Sequence, residues 1–150
     1  MSWRMAASLG GTPNTGLLGE INRAHPLRSI TADGGIGDEQ HRQRRSEHNP
    51  CGCCDVVCAR DFTHDPKHGF DAHAFAEWLR NRVLHNLEPR VMYVISDRRI
   101  FSGPGERHAA GVWRPYSGKN PHTKHVHVSV KHGPECYDDP RSWEWTGHTG

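Results

Sequence analysis

No stretch of this 150-residue sequence approaches the roughly 20 consecutive apolar residues that a membrane-spanning helix needs. Its opening, MSWRMAASLGG, also lacks the apolar run, about 7–15 residues long, of a secretory leader. The expectation is a soluble product made in the cytoplasm and not inserted into a membrane; a target outside the membrane would require that it be carried or released. Net charge is scarce as well. Nineteen Lys and Arg against 17 Asp and Glu leave +2, too little to argue for a nucleic-acid partner and compatible with mild attraction to an anionic cell wall. No internal repeat or low-complexity tract divides the chain. Cysteine is sparse and badly placed for a disulfide framework. Cys51, Cys53, Cys54 and Cys58 crowd together as C-x-C-C-x-x-x-C, and Cys136 stands apart. Adjacent cysteines rarely bridge each other. The cluster reads as small, partly buried thiols in a loop in preference to a second zinc site.

What is abundant is histidine, 13 in all, the side chain that titrates near neutral pH and commonly binds metals. The length suits one domain with one core. An apolar fraction of 34 % is low, but five Trp, four Phe and three Tyr supply large core side chains. Residues 3–9 and 14–23 are expected as short helices, broken by Gly10, Gly11 and Pro13, with Leu17, Leu18 and Ile21 as the apolar face of the second. Residues 25–55 are turn-rich. Residues 55–63 read as a strand, 71–87 as the best helix, capped by Asp71, and 90–97 as a strand with 99–102 as its hairpin partner. Residues 124–130 alternate as a strand, and 133–150 form a polar, irregular tail. The class is α+β, a small antiparallel sheet with flanking helices.

Three short motifs carry the chemistry. In His125-Val126-His127-Val128-Ser129-Val130, side chains alternate faces, so the valines face a core and His125, His127 and Ser129 face the other way. Two imidazoles on one strand face can converge on a metal or a reacting group; they can equally be exposed histidines on a half-buried strand. Ser46-x-His48 and Asp61 add the other donors. A catalytic zinc uses three protein ligands and leaves a fourth position to water, and two His with one Asp suit it. Taken singly, Asp61 also reads as a surface carboxylate or cap, and His48 as a loop histidine. His64 and Asp65 read either as groups orienting a ligand imidazole or as a turn closed at Asp65-Pro66.

Ser46-x-His48, Ala59-x-Asp61 and His125-x-His127 together resemble the signature of the M15-type zinc peptidases, whose zinc fold is shared by D-alanyl-D-alanine peptidases and the hedgehog signalling domain. The stretches SWRMAASL, DGGIGDEQH, SEHNP, DFTHDPKHGFDAH, VISDRRI and WRPYSGKNPHTKHVHVSV resemble a phage-encoded branch that acts on cell walls, over residues 2–132. The resemblance implies a hedgehog/DD-peptidase-like catalytic domain over 1–132, with 133–150 as its tail. It implies Zn2+ held by His48, Asp61 and His127, with His125 facing the substrate as catalytic group. Arg44 would bind a substrate carboxylate, beside Ser46. The implied substrates are peptidoglycan stem peptides, and the implied setting is a lysis enzyme or a virion component among other virion proteins.

This chain departs from the family pattern in two places. The compact spacing puts the ligand Asp seven residues after the His, at Asp55; Asp61 is preferred because Ala59 precedes it and DFTHDP follows. Many relatives carry a catalytic Glu three residues before the last His, where this chain has Lys124, so the H-x-H version applies. Two other readings stand beside the peptidase: an inactive metal-binding structural protein of the same fold, and an HNH-like nuclease. The second needs a helix after its metal strand and a basic surface; here Lys131-His132-Gly133-Pro134 follows.

Overall fold

The computed structural model describes residues 3–34 and 55–147. In chain order these form β1 (Arg4–Met5), α1 (Gly16–Ala24), β2 (Val56–Val57), β3 (Ala59–Thr63), a 3-10 turn at Pro66–His68, α2 (Ala72–Leu84), β4 (Val91–Ser96), β5 (Arg99–Ser102), β6 (Arg114–Pro115), β7 (His125–Val130) and α3 (Pro134–Tyr137). Strands β3 to β7 make a five-stranded antiparallel sheet in the order β3-β7-β4-β5-β6, so the chain is α+β. The alternation of β7 works as its spacing implies: Val126, Val128 and Val130 are wholly buried and join Phe75, Ala76 and Leu79 of α2 in one core. The opposite face carries the histidines.

α2 starts where Asp71 accepts hydrogen bonds from the backbone N–H groups of His73 and Ala74. It stops short of the expected Leu87. Asn86 adopts φ +59°, and the N–H groups of Leu87 and Asn86 donate to the carbonyls of Arg82 and Val83, a Schellman closure in which asparagine takes the left-handed position. Ser96 pairs with Arg99 across a two-residue turn, Asp97-Arg98, with both residues at positive φ, the backbone form that matches hairpin twist.

Three expectations are corrected. Residues 3–9 are not a helix. Arg4 and Ala6 donate to the carbonyls of Asp55 and Val57, and β1 pairs in parallel with β2. A pairing across fifty residues of sequence overrides weak local helix propensity. The expected strand 55–63 is two strands: Val56–Val57 belongs to the small sheet, and the main sheet begins at Ala59. Last, the tail is not irregular throughout. It forms α3 and inserts Trp143 and Trp145 into the core. The Glu20 carboxylate accepts from the backbone N–H of both tryptophans, Trp143 Nε1 donates to the Ser8 carbonyl, and Trp145 Nε1 donates to His25 Nε2. No helix among the described residues is long and apolar enough to cross a membrane.

Candidate metal centre

The centre is built at the pairing of β3 with β7. Asp61 sits directly opposite His127, and Thr63 opposite His125. Directly paired residues share a face, so the Asp61 carboxylate and both histidines project to the side away from the core. Asp61 is also braced from its free edge: its N–H donates to the Gly34 carbonyl at 2.8 Å, and Gly34 N–H returns a bond at 3.3 Å. Asp33 supports the same edge, its Oδ1 accepting from Thr63 N–H and Oγ while its carboxylate pairs with the buried Arg28.

Three imidazoles converge on Asp61. His127 Nδ1 lies 3.2 Å from Oδ1, His125 Nε2 lies 3.2 Å from Oδ2, and His122 Nε2 lies 4.0 Å from Oδ1. Donor atoms of Asp61, His122 and His125 all fall within 4.8 Å of one another, a group able to hold a metal ion. Around a tetrahedral zinc with bonds of about 2.0–2.1 Å, ligand atoms stand about 3.4 Å apart, so these spacings bracket what such an ion requires. Both nitrogens of His125 are buried with no hydrogen-bond partner among the described residues, as is Nδ1 of His122. Buried polar atoms are normally satisfied; a cluster of unsatisfied imidazole nitrogens around a carboxylate is the donor chemistry of a cation site.

Neighbouring groups determine which nitrogens are available. His127 Nε2 lies 2.7 Å from Ser129 Oγ, which leaves Nδ1 turned to Asp61, and the ring stacks on Tyr93 at 5.3 Å and 7°. Tyr93 comes from β4, in register with Ser129. Burial above all pushes the His122 pKa down to about 3, with His127 and His125 acting the same way and Asp61 opposing. His122 is therefore neutral at physiological pH, the form in which an imidazole binds metal.

Of the residues expected from sequence, Asp61, His125 and His127 come together. His48, Arg44 and Ser46 lie outside the described residues, as do Cys51, Cys53 and Cys54. Asp55 sits elsewhere, at the start of β2, where its carbonyl holds Arg4 of β1. His64 and Asp65 serve the turn and the helix start: Asp65 accepts from Ser29 N–H and contacts His68, while His64 Nδ1 accepts from Ala72 N–H. Trp113 packs edge-on against Phe101 and donates to Glu77, whereas Tyr116 stands edge-on to His122. Cys58 is buried in the core. His122 precedes the strand and lies outside its alternation, so the local pattern gives it no role. Its only signal was a third histidine in PHTKHVH. No family model, curated protein or solved structure matches the chain.

Proposed function

We propose that this centre binds zinc and that the protein is an M15-type peptidase of hedgehog/DD-peptidase-like fold, hydrolysing peptide bonds of bacterial peptidoglycan in a phage lysis or virion setting. The observation that supports the reading best is the Asp61 carboxylate faced by His125 and His127 across adjacent strands. These are the residues that the sequence resemblance marks, and their donor set suits zinc.

Asp61 and His127 would hold the ion, with His48 added by resemblance. A zinc so bound acidifies water to a pKa of about 7 and polarises a carbonyl. With Ser129 Oγ accepting from Nε2–H, His127 Nδ1 keeps its lone pair for the site. Asp61 supplies the negative charge that makes a cation stable in a partly buried position. His125, on the same face, holds or releases a proton beside the scissile carbonyl and donates to the oxygen that becomes negative. Arg44 and Ser46 would bind the peptide's carboxylate end.

Purified peptidoglycan is incubated with the protein, with chelator, and with chelator followed by zinc, and the product masses are read. The expected products are released peptides with glycan chains intact, lost with chelator and restored by zinc. His125→Ala should keep its metal and lose about 10²–10³-fold in turnover. Zinc bound at full occupancy with no peptide released from any peptidoglycan type would favour the metal-binding structural protein instead.

A further inference from the structure

The strand pairing that builds the centre continues across the whole sheet. Asp61 pairs with His127, His127 with Ile95, Ile95 with Ile100, and Ile100 with Arg114. Directly paired residues share a face, so this one row places Arg114 of the edge strand β6 on the face that carries the Asp61 carboxylate. A second row, Ser129, Tyr93 and Ser102, runs beside it on the same face. Arg114 reaches across to that row, its Nη2 donating to Ser102 Oγ at 2.9 Å. This is its one side-chain hydrogen bond among the described residues, and its Nε is buried without a partner there. Arg28, Arg82 and Arg90, also withdrawn from water, each hold a carboxylate; Arg114 holds none among the described residues. A guanidinium has five N–H donors in a fork that fits a carboxylate, so most of its capacity is unused.

The distance from the centre defines what could fill it. Ser102 lies on β5, two strands from β7. At about 4.8 Å per strand, the guanidinium tethered to it stands on the order of 10 Å from the histidine strand. An extended peptide advances about 3.3 Å per residue, so the span matches about three residues. Between the two ends Tyr93 and Ile100 are partly exposed, and Ile95 is buried. We propose that Arg114 is a specificity-determining residue that binds a free carboxylate of an extended peptide about three residues from the bond that is cut, with small or apolar side chains lying over Tyr93 and Ile100. The inference rests on the peptidase reading above and gives it a substrate class. A stem pentapeptide that ends in two alanines has both features, small side chains and a terminal carboxylate.

The probes are that pentapeptide with its C-terminal carboxylate free and the same peptide as its C-terminal amide. Binding to the intact metal-free chain is measured by calorimetry, and kcat, KM and product masses are measured with zinc, for wild type, Arg114→Gln and Arg114→Lys. Thermal unfolding accompanies each, and Arg114→Met serves if Arg114→Gln fails to fold. Wild type should bind the acid about 10–100-fold more tightly than the amide and cut about three residues before the carboxylate. Arg114→Gln should lose that preference by raising Kd and KM for the acid, with kcat near wild type, as loss of uniform binding does. Arg114→Lys keeps the charge without the fork and should recover part of the loss. Equal affinity of wild type for acid and amide, or release of the terminal residue alone, would overturn the inference. So would an Arg114→Gln loss that is the same for both peptides, which would show that Arg114 only closes the sheet edge. Peptidoglycan cut by a wild-type chain that binds neither peptide overturns the inference and leaves the peptidase reading standing. A wild-type chain that releases no peptide from any peptidoglycan type overturns both.

Discussion

His127 has two ring nitrogens with different neighbours, Ser129 on Nε2 and Asp61 on Nδ1. The hydroxyl bond determines which nitrogen is left for a cation. Ser129→Ala is therefore expected to weaken metal binding about tenfold, as loss of a ligand's orienting partner does, and to cost about 1–3 kcal/mol by removing a bond from a buried group. Chelator competition and urea unfolding check the two effects. The two aspartates separate equally well: Asp61→Ala should abolish metal binding, while Asp55→Ala should leave it near wild type, read as metal content per chain. Asp61 lies across from His127, whereas Asp55 precedes a strand of the other sheet. Retained metal in Asp61→Ala would show that the cluster is not the site. Sequence alone favours Asp61 on its flanking residues, and the register of β3 on β7 adds that Asp61 lies opposite His127.

At the scale of elements, the site depends on how strands and helix ends are closed. Gly103 follows β5, and a Cβ there would stand 1.8 Å from the Val91 carbonyl oxygen. The close approach accompanies an irregularity in β4 between Val91 and Tyr93, where Gly103 N–H donates to the Met92 carbonyl. Gly103→Ala should cost more than 2 kcal/mol, as backbone must shift in the centre of the sheet, and should disturb Tyr93 against His127; a melting temperature equal to wild type would refute this. Asp71→Ala removes the cap of α2 and should cost about 1 kcal/mol, seen as a lower urea midpoint. Helix α2, strands β4, β5 and β7 and the capping residue were legible from periodicity and turn chemistry. The split between β2 and β3 was not, since Val56 to Phe62 reads as one β-prone run until its partners are known.

For the whole molecule, the C-terminal residues are part of the core. Trp143 is wholly buried under the Arg90 guanidinium at 4.0 Å, Arg90 is paired with buried Glu88, and Trp145 closes an aromatic group with Phe70, Phe75 and Trp78. Trp143→Ala should cost about 3–5 kcal/mol, and a chain ending at 132 should not fold cooperatively; thermal unfolding followed by near-ultraviolet circular dichroism tests both. A cooperative, wild-type-like transition in the truncated chain would show that the tail is dispensable.

By itself the sequence determined the α+β class, the best helix, the face of β7 that carries histidine, and Asp61, His125 and His127 as one group. The first three follow from a local period or a short spacing, which the chain carries wherever it folds; the grouping of Asp61 with His125 and His127 follows from the family resemblance of the two motifs. The tertiary structure decided the pairing of β1 with β2, the insertion of Trp143 and Trp145, and the arrival of His122 beside Asp61. Those depend on hydrogen bonds between residues far apart in sequence: Glu20 to Trp143, Asp97 to His122, His73 to Thr123. No local pattern encodes such a bond, because its free energy exists only once the sheet has brought both partners together.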